Sequence, residues 1–160
     1  MREEMTWEDV GTAVDDLAAQ IRADGFRPDA VLALARGGLP CAGALAYALG
    51  VKNMATLNVE FYTGVDERLE DPLLLPPVPD LALLRAGRLL VVDDVADTGR
   101  TLALASEFCA QHGPEVRTAV LYEKPQSVVR CDFVWRRTDR WINFPWSTLA
   151  PVAAATQAGL

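Results

Sequence analysis

The sequence is short of the residues that bind zinc or cross-link a chain. Among 160 residues there are three cysteines and one histidine. Cys41, Cys109 and Cys131 are odd in number and widely spaced, with no metal-like pairing, so they read as reduced cytosolic thiols. Excess positive charge is missing too. A net charge of -7 excludes nucleic acid as the main partner, since that needs a basic surface. An anionic small substrate stays allowed, because local donors and a metal can outweigh the global field. The longest apolar run, around Leu39 to Val51, is too short and glycine-broken to span a bilayer, so no membrane partner is expected. The opening MREEMTWEDV is acidic and polar, and no signal peptide is expected. A Gly-Lys-Ser/Thr phosphate-loop ending is absent, and no internal repeat is visible. What remains, 51% hydrophobic and 23% charged, suits one soluble domain with a sizeable core.

The informative stretch is Arg88 to Leu102, RLLVVDDVADTGRTL. Leu89 to Val92 has the branched apolar pattern of a strand buried on both faces of a parallel sheet. Asp93 and Asp94 stand where that strand is expected to end. An Ala-Asp-Thr-Gly turn follows, and a helical pattern begins near Arg100. Ligands of open α/β sheets bind beyond the carboxyl ends of strands. A helix N-terminus there offers free N–H groups and a favourable dipole to a phosphate. Thr98 and Thr101 add hydroxyl donors, and Gly99 lets the backbone approach closely. Carboxylates for a sugar diol or a metal thus lie beside donors for a phosphate, which a phosphorylated ribose presents together. Asp97-Thr98-Gly99 is also the aspartic-protease triplet, but that fold is all-β and here an amphipathic helix follows.

A hydrophobic strand, two acidic residues and a small-residue loop ending in Thr resemble the diphosphoribosyl-binding signature of type I phosphoribosyltransferases. The resemblance implies an α/β fold with a parallel-sheet core flanked by helices and a small C-terminal hood. In that family Asp93, Asp94, Ala96, Asp97, Thr98, Gly99, Arg100 and Thr101 would bind phosphoribosyl diphosphate, and Asp93 and Asp94 would hold Mg²⁺. Asp97 would be the catalytic base, taking the purine N7 proton as N9 attacks. Ala35-Arg36-Gly37-Gly38, at the end of an earlier strand, would bind the pyrophosphate through Arg36 and Gly37, often across a non-proline cis peptide, here Ala35–Arg36.

Lys124 follows a later strand, and Asp139-Arg140-Trp141-Ile142-Asn143-Phe144-Pro145-Trp146 is similar to the hood of bacterial xanthine-guanine phosphoribosyltransferases. The resemblance would give Lys124 the purine O6, stack Trp141 on the base and aim the Ile142 carbonyl at a 2-amino group. Trp146 reads as hydrophobic core. One departure is Ser147, where relatives carry an acidic residue that helps hold a second metal. The implied activity is transfer of phosphoribose to guanine, xanthine or hypoxanthine in purine salvage, by a cytoplasmic homodimer or homotetramer. Two alternatives stay open: a non-catalytic sensor of phosphoribosyl diphosphate, and a transferase for an unusual base. The first has neither room for a DNA-binding module nor charge for an RNA-binding face.

The remaining pattern supplies the frame. Thr6 with Asp9 forms a weak capping box, and Val10, Val14, Leu17 and Ile21 keep helical spacing up to Gly25. Ala30 to Leu34 reads as a strand, Pro40 to Leu49 as a helix closed by Gly50, and Met54 to Val59 as a strand. This order implies a right-handed parallel crossover. Periodicity fails from Glu60 to Gly87, where the family carries a mobile loop over the active site. A helix is expected from Arg100 to Gln111 and a strand from Val116 to Leu121. His112 reads as a partner of that helix's C-terminus. The aromatic run from Phe133 to Trp146 suggests a cap over the sheet edge. One domain is expected over 1–147, with a hood at about 123–147 and a tail at 148–160.

Overall fold

A computed structural model describes residues 2–60, 63–64, 67–68, 73–75 and 87–152. Helix α1 (Trp7–Asp24) starts at Thr6, whose hydroxyl accepts from Asp9 N–H while the Asp9 carboxylate accepts from Thr6 N–H. That reciprocal capping box satisfies two N–H groups that the first helical turn leaves without partners. Gly25 closes the helix at φ 83, a conformation that L side chains rarely adopt.

The main sheet has six strands. In chain order they are β2 (Ala30–Ala35), β3 (Met54–Glu60), β6 (Leu73–Leu75), β7 (Arg88–Ala96), β8 (Glu115–Glu123) and β9 (Phe133–Arg137). Their spatial order is β6-β3-β2-β7-β8-β9, with only β6 antiparallel to its neighbour. Strand alternation sorts the side chains into two faces. Val31, Ala33, Leu90, Val92, Ala119 and Leu121 pack with α1 and with α2 (Gly38–Leu49). Leu32, Leu34, Leu57, Leu89, Val91 and Val120 pack instead with Leu102, Ala105 and Cys109 of α3 (Arg100–Ala110). A sheet apolar on both faces needs helices on both sides, and the crossovers supply them. Truncating a fully buried side chain such as Leu17 or Leu121 to Ala should cost about 2–5 kcal/mol.

The structure departs from the sequence reading in several places. Strand β7 does not end at Val92: β2 leaves the ladder there, but pairing with β8 continues to Ala96 opposite Glu123. Helix α2 begins at Gly38, two residues early. Phe133–Arg137, expected in a cap, is the outer strand of the sheet, because β8 is long enough to pair on both sides. Arg2–Glu4 forms a strand, β1, paired in parallel with β10 (Trp141–Asn143) in a separate two-stranded sheet.

In the segment expected to be a loop, β4 (Thr63–Gly64) pairs with β5 (Glu67–Arg68), and β6 lies against β3. The rest of the expected loop, 61–62, 65–66, 69–72 and 76–86, lies outside the described residues, as does the tail beyond 152. Among the described residues no helix is long and apolar enough to cross a membrane.

Candidate functional site

The carboxyl ends of β2, β7 and β8 lie side by side, and β10 faces them. Between them is a cleft of about 370 Å³ lined by Asp94, Val95, Asp97, Lys124, Trp141, Ile142, Asn143, Phe144 and Ser147. Four residues that the sequence singled out for base contact or proton transfer, Asp97, Lys124, Trp141 and Ile142, therefore share one cavity.

Because β7 runs past the end of β2, its acid pair reaches across the turn that follows β2. Successive residues of a strand point to opposite faces, and the two carboxylates have different surroundings. Asp93 accepts from the N–H of Asp94 at 2.9 Å, and its Oδ1 lies beside Gly38. Asp94 lines the cleft, with the adjacent Trp146 indole favouring its charged form. Burial and the adjacent Asp94 charge raise Asp93 well above the usual carboxylate range, and burial raises Asp94 also.

Glycine is required where the two loops meet. A Cβ on Gly37 would overlap the Asp94 carboxylate, and one on Gly38 would come within 2.5 Å of the Val92 carbonyl. The peptide bond between Ala35 and Arg36 is cis, as the family pattern implied. Arg36 is exposed and forms no ion pair among the described residues.

The residues fit a hard divalent cation. The two close carboxylates form no ion pair among the described residues, and their oxygens are the donors that suit Mg²⁺. Among the described residues no cluster of three or more His, Cys, Asp or Glu could hold a metal alone. A cation here needs oxygens from substrate and water, the usual way in which Mg²⁺ is held. Ser147 lines the cleft, but its hydroxyl donates to the Phe144 carbonyl at 3.3 Å, closing a turn.

Gly99, at φ 76, begins α3 directly after Asp97 and Thr98. The loop after β8 is fastened to this turn. Lys124 N–H donates to the Ala96 carbonyl at 3.0 Å, and Val128 N–H to the Thr98 carbonyl at 2.9 Å. A Cβ on Gly99 would strike the Ser127 hydroxyl. Lys124 is only 7% exposed. Its ammonium donates to the carbonyl of Arg140 and, at 3.5 Å, to that of Asp139. A lysine has three donors, so one is left for a ligand in the cleft. Trp141 is 63% exposed at the cleft wall, whereas the Ile142 side chain is buried and anchors β10.

Sequence reasoning missed several contributors. Trp146 packs against the core as expected, stacking on Phe144 at 5.0 Å, and it also lies beside Asp94 and favours its charged form. Glu123, fully buried beside Lys124, accepts from Arg137 at 2.9 Å, Arg130 at 3.3 Å and Cys131 N–H at 2.7 Å. Burial pushes its carboxyl up, but these donors outweigh that and hold it below the usual range. Gln126 donates to Asp97 at 2.7 Å. The strand β1 holds the hood from the far end of the chain, with Asn143 donating to Glu4 at 2.5 Å and Met5 N–H to the Asn143 carbonyl at 3.0 Å. His112, outside the site, contacts the Phe108 carbonyl through Nδ1 at 2.7 Å, in keeping with a helix-end role.

Known proteins resemble the chain throughout this frame. A xanthine-guanine phosphoribosyltransferase of Ruegeria sp. (strain TM1040) is 32% identical over 153 residues, covering 89% of this chain and 83% of that protein. One from Roseobacter denitrificans is 33% identical with the same coverage. A crystal structure of a purine phosphoribosyltransferase from Pyrococcus horikoshii matches with a TM-score of 0.80 at 35% identity, over 94% of this chain and 97% of that one. A Helicobacter pylori xanthine-guanine-hypoxanthine phosphoribosyltransferase, at 18% identity and a TM-score of 0.79 over the full length of both, shares the fold. The phosphoribosyl transferase domain model matches residues 6–151, from the cap of α1 to beyond the hood, and the chain belongs to that family.

Proposed function

We propose that the protein transfers 5-phosphoribose from phosphoribosyl diphosphate to a 6-oxopurine, releasing pyrophosphate. The observation that carries this reading is the buried Lys124 ammonium, in the same cleft as Asp94, Asp97 and Trp141. A lysine only donates, so it complements the O6 carbonyl of guanine, xanthine or hypoxanthine. Adenine presents an amino group there, donor against donor. The purine lies against Trp141, and the Ile142 backbone accepts from a 2-amino group.

Arg36 and the N–H groups beside Gly37 grip the diphosphate, for which a guanidinium fork is suited. The turn from Asp97 to Thr101 receives the 5-phosphate at the start of α3. Asp93 and Asp94 face the ribose hydroxyls and would hold Mg²⁺, which when bound neutralises charge on the departing diphosphate. As N9 forms its bond to the anomeric carbon and the diphosphate leaves, Asp97 takes the proton from N7. The same reading makes the protein a cytoplasmic homo-oligomer, and its three free, buried cysteines suit a reducing compartment.

The test is pyrophosphate release with phosphoribosyl diphosphate, Mg²⁺ and a panel of bases. A 6-oxopurine should exceed adenine by roughly 10⁴–10⁵-fold, since a site built on one hydrogen-bonding group rejects its mismatch by that factor. In Lys124→Ala most of that preference should vanish. Adenine within about tenfold of the best 6-oxopurine in the unaltered protein would remove the assignment.

A further inference from the structure

The loop after β8 does more than carry Lys124. Gln126, two residues on, donates from its side-chain amide to Asp97 Oδ1 at 2.7 Å. It is not among the residues lining the cleft, so it reaches Asp97 from outside while Asp97 itself lines the cavity. The backbone around Gln126 is fixed at both ends to the turn that bears Asp97, through Lys124 N–H to the Ala96 carbonyl and Val128 N–H to the Thr98 carbonyl. A third bond, Ser127 N–H to the Lys124 carbonyl at 3.1 Å, tightens the turn between them. Gln126 thus starts from a defined place relative to Asp97.

We propose that Gln126 is a positioning residue for Asp97: it occupies one carboxylate oxygen and leaves the other aimed at the N–H of the bound base. The proposal rests on the reading of Asp97 as proton acceptor. An aspartate on an exposed turn otherwise samples several rotamers, and only one of them presents an oxygen to N7. A short bond from a neutral amide selects that rotamer without placing a competing charge in the site. The bond also joins the two halves of base recognition. Lys124, which reads O6, and Gln126, which holds the proton acceptor, lie on one turn, so a purine seated on the lysine meets a carboxylate already set in register.

The experiment is steady-state kinetics with phosphoribosyl diphosphate, Mg²⁺ and the preferred base for four proteins: the parent, Gln126→Ala, Asp97→Asn and the double variant. Gln126→Met, of similar length without the donor, accompanies them. Gln126→Ala and Gln126→Met should lower kcat by roughly 10–150-fold, the range for losing one hydrogen bond to a charged group. KM for phosphoribosyl diphosphate and the melting temperature should stay unchanged, because the side chain is exposed. Asp97→Asn should lower kcat by roughly 10²–10⁴-fold, and adding Gln126→Ala to it should lower it no further. An unchanged kcat in both Gln126 variants, or full additivity in the double variant, overturns the positioning role. A change confined to KM for the purine also overturns it, since Gln126 would then touch the base. Near-normal turnover of Asp97→Asn overturns the proton-acceptor reading itself.

Discussion

The two halves of the candidate site are built by different means. The half proposed for the phosphoribosyl group stands at strand ends of the main sheet: Arg36 and Gly37 follow β2, Asp93 and Asp94 lie on β7, and Asp97 follows it. Its geometry is backbone geometry, fixed by the ladders between Val31 and Leu90 and between Asp93 and Val120. The half proposed for the base rests on a three-residue strand, β10, held by another three-residue strand and by ring contacts among Trp7, Tyr122, Trp135, Phe144 and Trp146. One half is rigid because its chain path is buried; the other is held by side chains. Damage to the first should therefore register in phosphoribosyl-diphosphate binding and turnover, and damage to the second in base affinity and stability.

The sharpest separation comes from Asp94→Asn. Turnover should fall by roughly 10²–10³-fold, comparable to removing one preorganised electrostatic contact. The ligand-free protein should nevertheless melt about 2–4 °C higher, because one of two half-buried like charges is gone. Added phosphoribosyl diphosphate with Mg²⁺ should raise the melting temperature of the parent more than that of the variant. A variant that is both active and less stable would show that the pair is structural.

Arg36→Ala should follow in size. Losing a forked, charge-assisted contact should weaken pyrophosphate and phosphoribosyl diphosphate by roughly 10–100-fold. The product nucleotide, which has no diphosphate, should bind almost as before. Calorimetry that finds all three weakened alike would show that the loop only shapes the backbone.

Glu123→Gln strikes the base half and should have the smallest effect on turnover. It should cost about 1–3 kcal/mol at neutral pH, as the donors of Cys131, Arg130 and Arg137 lose a charged acceptor. The sign with pH follows from its direction. A carboxyl lower in the folded than in the unfolded protein stabilises above its unfolded value of about 4.5, and that contribution disappears as pH falls through the folded one. The parent should lose this share of stability below about pH 4.5, and the variant should not. Melting curves between pH 3 and pH 7 that remain parallel would remove Glu123 from the account.

The comparison also explains what could be read from the amino acids. The phosphoribosyl half lies in two short runs, Ala35 to Gly38 and Arg88 to Leu102, where strand, acid pair, glycine turn and helix start follow one another. Local order writes such a site into local sequence. Lys124 and Trp141 were legible only through the family pattern, since a lysine after a strand or a tryptophan near a proline has many ordinary uses. The clasp of Gln126 on Asp97 and the pairing of β1 with β10 were not legible. Each joins segments distant in sequence through a bond that leaves no periodicity. The acidic Arg2–Glu4 run even argued against a strand, because two of its three residues are carboxylates. Their charge is met by tertiary partners: Glu3 takes the Tyr122 hydroxyl at 3.1 Å and pairs with Arg136 at 3.7 Å, and Glu4 takes Asn143.

The pairing of β1 with β10 bears on the order in which the protein comes into being. Glu4 and Asn143 are 139 residues apart, so of the described strands the first in the chain waits for the last. Contacts that close so long a stretch bear their full loop-closure entropy before they contribute anything. On a ribosome, β2, α2 and β7 have their partners within reach while the hood is still being made, and Arg2–Glu4 has none. The nascent chain thus completes the turns after β2 and β7 first and the β10 wall of the cleft last.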